Sequence, residues 1–284
     1  MSSSAKPKFS VYSTSTQPPM HFSGANGFPV RCYEPLLTAL SQRFSITSLW
    51  HAGLWPGADE PNTRWWADEA DALISHLKKQ NTGPVIGVGH SMGANITLLA
   101  AAKSPTLFSE LILIEPVMVS RFHAFLFRYA PQSWLQKQEP VASALAAPTS
   151  WSTPELAYQH FRGHPAYKRM PDQTLKTMLK GLIDNHQGKT SLVYPKDWEI
   201  HNYLQVRPIL NAFQTLKTPT VFIRGKSSLF VHDKSWQAML RMKPDTLCFR
   251  EMEYGHLLPL EAPGLTRQLI FSGLTKLRQA HSEP

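Results

Sequence analysis

Residues 84–100 read Pro84-Val85-Ile86-Gly87-Val88-Gly89-His90-Ser91-Met92-Gly93-Ala94-Asn95-Ile96-Thr97-Leu98-Leu99-Ala100, and this stretch decides the fold. Its first part is a short apolar run bounded by Pro84, of a length that suits a buried strand better than a helix. From Ala94 onward, Ala, Leu and Ile follow without a breaker, which predicts a helix. Between the two, Gly89-His90-Ser91-Met92-Gly93 matches G-x-S-x-G. A sharp strand-to-helix turn lifts such a serine above the sheet edge, and a Cβ on either flanking glycine would clash with neighbouring chain. The serine also stands at a helix N-terminus, where free N–H groups favour developing negative charge. The motif alone is common; the strand before it and the helix after it give it weight. A glycine-flanked structural turn is the plain alternative. A dinucleotide loop fits less well, because Gly87, Gly89 and Gly93 are spaced one residue too long for that fingerprint.

Outward from this stretch, strands and helices alternate. Met20-His21-Phe22 is a short extended run, and Pro35–Arg43 a helix with Leu36, Leu37 and Leu40 on one face. Phe44–Trp50 reads as a strand, Trp65–Lys79 as a helix and Leu111–Ile114 as a strand. Crossover-length spacing of this kind predicts βαβ units: an α/β fold with a mostly parallel central sheet and helices on both faces. The rhythm breaks between about Val117 and Phe213, which is aromatic, Pro-punctuated and helical in pieces, with nothing like a buried strand. It resumes with Thr220–Ile223 (strand), Asp233–Arg241 (helix), Thr246–Phe249 (strand) and Pro263–Gln279 (helix). The expected organisation is a core from 20–116 and 214–284 that carries a helical cap, 117–213. Residues 1–19 are expected to be poorly ordered or extended, with one weak strand candidate at Phe9–Tyr12.

Composition excludes several classes. Of 284 residues 42% are hydrophobic and 17% charged, so a large core forms and wholesale disorder is excluded. No run of 18 apolar residues exists, so no integral membrane segment is expected. The start, MSSSAKPKFS, has no apolar h-region and does not read as a secretory signal. Cys32 and Cys248 make no disulfide framework; both are expected as buried free thiols, consistent with a cytoplasmic location. The net charge of +9 is scattered, densest at Lys78-Lys79, Arg241 with Lys243, and Lys276 with Arg278. No nucleic-acid-binding motif accompanies it, so nucleic acid is not an expected partner. His160 and His164 are spaced like metal ligands, but Gly163 and Pro165 break the helix and no H-E-x-x-H is present. No metal or cofactor is expected.

Taken together, these residues resemble the α/β-hydrolase superfamily, in its capped, serine-nucleophile, esterase- or lipase-like branch. The resemblance runs from about Met20 to Leu277 and is weakest over the cap. The stretch His21-Phe22-Ser23-Gly24-Ala25-Asn26-Gly27-Phe28-Pro29 is similar to that family's "H-G/A-x-G-F-P" loop, with Gly24 where relatives usually carry His. The resemblance implies an oxyanion hole made of the backbone N–H groups of Asn26 and Met92; an ordinary Asn-Gly turn is the other reading. It also implies that His256, in Tyr254-Gly255-His256-Leu257, is the base, since the fold orders its triad Ser, acid, His. A serine hydroxyl needs such an imidazole to take its proton. His90, beside the serine, is expected to pack or to support.

The acid is left open by the same comparison. Relatives commonly carry it after the strand Thr220–Ile223, where this chain reads Arg224-Gly225-Lys226-Ser227-Ser228. Asp233 is the nearest carboxylate there and looks like a helix N-cap. The other position follows the preceding core strand, where Glu115 resembles the strand-end Glu of some haloalkane dehalogenases. Dehalogenation itself is disfavoured, because that branch uses an Asp nucleophile where this chain has Ser91. Glu115, Asp233 and a site with no working acid are the three alternatives. The implied activity is cleavage of a carboxylic ester or related acyl bond through an acyl-enzyme. Thioester and C–C bond hydrolysis, and a non-catalytic binding protein of the same fold, are the rivals. Trp134, Trp151, Trp198, Phe122, Phe125, Phe127 and Tyr129 crowd the cap. They suit either core packing or an apolar lining for a small apolar or aromatic acyl substrate.

Overall fold

Val85–His90 is the middle strand of a seven-stranded sheet in the computed structural model, which describes residues 6–12, 16–58, 61, 65–119, 125, 129–186, 188–206, 209–226 and 230–282. The strands are β1 (Phe9–Val11), β2 (Pro19–Ser23), β3 (Ser45–Leu49), β4 (Val85–His90), β5 (Phe108–Ile114), β9 (Thr220–Arg224) and β10 (Leu247–Arg250). They lie in the order β1-β3-β2-β4-β5-β9-β10, and only β1 runs antiparallel to its neighbour. β5 starts three residues earlier than the apolar run suggests, because Phe108 and Glu110 already pair with Val85 and Ile86.

Strand side chains alternate between the faces. Ile86, Val88, Ile112, Ile114, Val221 and Ile223 face one apolar cluster, shared with α1 (Glu34–Leu40), α11 (Leu258–Glu261) and α12 (Pro263–Ser282). Leu111, Leu113 and Phe222 face the other, shared with α2 (Trp66–Gln80), α3 (Met92–Lys103) and α10 (Asp233–Met242). Both faces being covered explains why Val85–Val88 of β4 and the end of β5 are apolar throughout instead of alternating with polar residues.

Between β5 and β9 the chain leaves the sheet. It forms α4 (Gln132–Leu135), α5 (Val141–Ala146), α6 (Pro154–Gly163), α7 (Asp172–Leu182), α8 (Lys196–Leu204) and α9 (Leu210–Thr215). Helices alone were expected here, but β6 (Ser150–Trp151), β7 (Ile183–His186) and β8 (Lys189–Leu192) make a separate antiparallel sheet in the order β6-β8-β7. Its strands escape a reading by hydrophobic pattern: β6 has two residues, and Ile183 is the one apolar residue of β7. Gly188, at φ 77°, belongs to the turn that closes the β7–β8 hairpin. Cys32 is buried, whereas Cys248 is only partly so; both are free thiols. Among the described residues no helix is long and apolar enough to cross a membrane.

Candidate active site

Ser91 joins β4 to α3 at φ 55° and ψ −121°, a conformation that non-glycine residues rarely adopt. The surroundings enforce it. A Cβ on Gly93 would lie 2.2 Å from the Ser23 carbonyl oxygen, and one on Gly89 2.5 Å from the Ala94 Cα. The Ser91 N–H donates to the Ile114 carbonyl at 3.0 Å, tying the turn to β5. Neither glycine has room for a side chain, so the turn holds its strain by crowding.

The hydroxyl of Ser91 meets an imidazole from the far end of the chain. Ser91 Oγ is 2.9 Å from His256 Nε2, and His256 Nδ1 is 2.9 Å from Glu115 Oε2. A carboxylate oxygen only accepts, so Nδ1 carries the proton and Nε2 is free to accept from the serine. Glu115 follows β5 at φ 49°; its N–H donates to the Ile223 carbonyl at 2.8 Å, and its side chain is fully buried. Its second oxygen, Oε1, accepts the Gly225 N–H at 2.6 Å. Both oxygens of this buried carboxylate are therefore satisfied. Phe230 stacks on the imidazole, with centroids 4.3 Å apart and planes 27° from parallel.

Asp233, the other candidate acid, is engaged elsewhere. Its Oδ1 lies 2.8 Å from Nη2 of the fully buried Arg224, which also donates to the Val231 carbonyl at 3.0 Å. It is the first residue of α10 rather than its cap, since His232 precedes the helix in an extended conformation. Ser227 and Ser228 lie outside the described residues.

Asn26 borders the same cavity as Ser91, and its side chain is held by α8. Its Nδ2 donates to the Glu199 carbonyl at 2.8 Å, and its Oδ1 accepts from Asn202 Nδ2 at 2.9 Å. Met92 is the first residue of α3, where backbone N–H groups have no partner within the helix.

A second set of contacts has no sequence signature. The Ala25 N–H donates to Tyr33 Oη at 2.9 Å, and Tyr33 Oη donates to His90 Nδ1 at 2.7 Å. His90 Nε2 then donates to the His256 carbonyl at 2.8 Å. The residue before the serine thus links the loop at Ala25 to the loop at His256. Both ring nitrogens of His90 are used in its neutral form, and it is fully buried. Burial, reinforced by the neighbouring His256, lowers its pKa to about 3; burial, with His76 and His51, lowers that of His21 to about 3 as well.

An acid-stability prediction follows. Each imidazole titrates below its unfolded value, so the unfolded chain binds more protons as the pH falls below about 6.5 and stability is lost toward pH 3. Between pH 6.5 and 5 the expected loss is roughly 2 kcal/mol per histidine. Urea unfolding at the two pH values measures it, and His90→Gln should remove about half of the drop. A flat profile would contradict the neutral, buried assignment.

Ser91, Asn26 and His256 line a partly open cavity of about 300 Å³, much of whose remaining lining comes from the insertion between β5 and β9. Its aromatic lining comes from Phe28, Phe161, Tyr167, Tyr194, Tyr203 and Phe230. None of these is among the aromatics singled out from the sequence, for which core packing and a lining were both open. Trp198 is buried in core, while Trp134, Phe125 and Tyr129 are exposed and Trp151 packs beside His160 and Phe161. Phe122 and Phe127 lie outside the described residues. Residue type alone does not say which aromatic of an irregular segment points inward. His160 and His164 both border the cavity. Among the described residues no group of three or more His, Cys, Asp or Glu side chains converges as a metal site requires.

Comparison with known proteins agrees with this architecture. The chain is 36% identical over 219 residues to the 2-(acetamidomethylene)succinate hydrolase of Mesorhizobium japonicum, covering 75% of this chain and 72% of that one. A crystal structure of E-2-(acetamidomethylene)succinate hydrolase superposes with a TM-score of 0.79 at 19% identity, over 95% of both chains. A type I acyl-CoA thioesterase of Penicillium roqueforti is 34% identical over 106 residues, which are 32% of this chain but only 24% of that protein. The family model described as "Alpha/beta hydrolase family" matches residues 22–269, from β2 into α12. On that match and the shared sheet, the chain belongs to the alpha/beta hydrolase family.

Proposed function

We propose that this protein is a serine hydrolase that cleaves a carboxylic ester or a related acyl bond through an acyl-enzyme. The observation that carries the reading is the unbroken relay Ser91 Oγ, His256 and Glu115, with both links at 2.9 Å. Ser91 Oγ attacks the acyl carbonyl while its proton passes to His256 Nε2. The resulting imidazolium is held by the Glu115 carboxylate, which keeps its own charge. The carbonyl oxygen becomes an oxyanion facing the N–H groups of Asn26 and Met92, donors oriented in advance of the reaction. Collapse of the tetrahedral intermediate expels the leaving group, which takes the proton from Nε2. Water, deprotonated by the same nitrogen, then releases the acid and restores the serine. In this reading residues 117–213 are a cap that closes over Ser91 and shapes the acyl site.

A fluorophosphonate probe tests the reading directly. Mass spectrometry of the labelled, folded protein is expected to find the adduct on Ser91, and an unlabelled Ser91 would favour a binding protein of the same fold. The thioesterase names among the relatives support a second reading, in which the bond is a thioester. Matched oxygen ester and thioester substrates of one acyl group separate the two.

A further inference from the structure

The cavity beside Ser91 carries fixed charge of one sign. The chain has 29 Lys and Arg against 20 Asp and Glu, yet the cavity is bordered by Glu139 and Glu199 and by no Lys or Arg among the described residues. Glu139 is exposed, whereas Glu199, on the first turn of α8, is partly buried. Its Oε1 lies 3.0 Å from where a Cβ on Gly27 would stand, so the carboxylate rests on the loop next to Asn26. That oxygen accepts from Tyr203 Oη at 3.2 Å. The other, Oε2, accepts no hydrogen bond from the described residues, and none of their cations pairs with it. Lys196, one turn away, directs its ammonium to the carbonyls of Leu145 and Ala147. Burial pushes the Glu199 carboxyl up, partly offset by the Tyr203 hydroxyl and by Lys196.

A desolvated carboxylate with a free acceptor gains most by meeting a cation, and it repels a second anion brought into the same cavity. We infer that Glu199 reads the substrate: its Oε2 receives an ammonium group carried on the acyl compound, so amine-bearing acyl substrates are taken up and carboxylate-bearing ones turned away. The inference rests on the hydrolase reading above and adds the chemical class of its substrate. A residue that only props the Gly27 loop would change all turnover alike. A residue that reads charge changes the ratio between substrates.

The p-nitrophenyl esters of 6-aminohexanoate, heptanoate and adipate (one carboxyl left free) have similar reach and differ in charge. For the wild type, kcat/KM is expected to fall in that order, by about tenfold at each step. Glu199→Gln should shrink the ratio between the first and last by at least about tenfold. An unchanged ratio in the variant, or adipate as the best substrate, would overturn the inference and leave the hydrolase reading intact. A second arm needs no turnover: n-hexylammonium and hexanoate are titrated calorimetrically into Ser91→Ala protein. Hexylammonium should bind at least about tenfold tighter, and equal affinities would overturn the inference even if no ester is cleaved. Failure of every ester together with an unlabelled Ser91 would instead remove the hydrolase reading. The selectivity of the unaltered cavity decides the matter should Glu199→Gln fail to fold.

Discussion

Ester turnover by Ser91→Ala is expected to fall by about 10⁶-fold in kcat, with little loss of thermal stability. In the proposed mechanism the hydroxyl oxygen is the atom that bonds to the substrate, and without it the nearby His256 would at best activate water from a position built for a serine. The turn itself should survive, because its strained φ is imposed by the crowding at Gly89 and Gly93 and not by the Ser91 side chain. His256→Ala should cost nearly as much, and the double variant little more than either, since the two act as one unit. Steady-state rates with a p-nitrophenyl ester measure all three. Retention of more than a tenth of wild-type kcat in Ser91→Ala would remove this serine from the chemistry.

The second large effect is expected at Glu115. Glu115→Gln should lower kcat by about 10²- to 10⁴-fold, while Asp233→Asn stays near wild type. The reason lies in the two donors that face the carboxylate, the Gly225 N–H and the His256 Nδ1–H. An amide has one acceptor oxygen. If that oxygen keeps Gly225, the amide NH₂ faces Nδ1 and forces the imidazole into the other tautomer, whose Nε2–H cannot accept the serine proton. If it turns to keep His256, an N–H meets an N–H at Gly225. Either outcome weakens the base. Asp233, engaged with Arg224, faces no such choice. Activity retained in Glu115→Gln and lost in Asp233→Asn would reverse the assignment.

Much of this was legible before any coordinates, for definite reasons. The apolar run at Val85–Val88 and the glycines around Ser91 specify a buried strand and a cramped turn, because a core and a clash leave few alternatives. His256, and Glu115 as one of three alternatives for the acid, could be named only through the family resemblance, and the choice among the three needed the folded sheet. Which strand end approaches the imidazole depends on the order β5-β9-β10, a property of the folded sheet. A supporting place for His90 follows from its position beside Ser91, but its link to Tyr33 gave no signal, since a tyrosine and a histidine 57 residues apart share no spacing rule. Asn202 and Glu199 lie in the irregular insertion, as do Phe161, Tyr167, Tyr194 and Tyr203 of the cavity lining, none of which the sequence singles out. There, short helices and the β6–β8 sheet set the direction of each side chain, and no single periodicity runs long enough to reveal it.

The hydrogen bond between Ser91 and His256 closes a span of 165 residues, and that between His256 and Glu115 a span of 141. On the ribosome, Ser91 and the whole intervening stretch, more than half of the 284-residue polypeptide, must be synthesised before the imidazole of His256 is added. Contacts so distant along the backbone form late, after the entropy of the large loop has been overcome. Nascent or truncated forms that end before residue 256 therefore carry a serine with no partner to take its proton. During renaturation, the return of probe reactivity at Ser91 should lag behind the recovery of helical signal and report completion of the molecule.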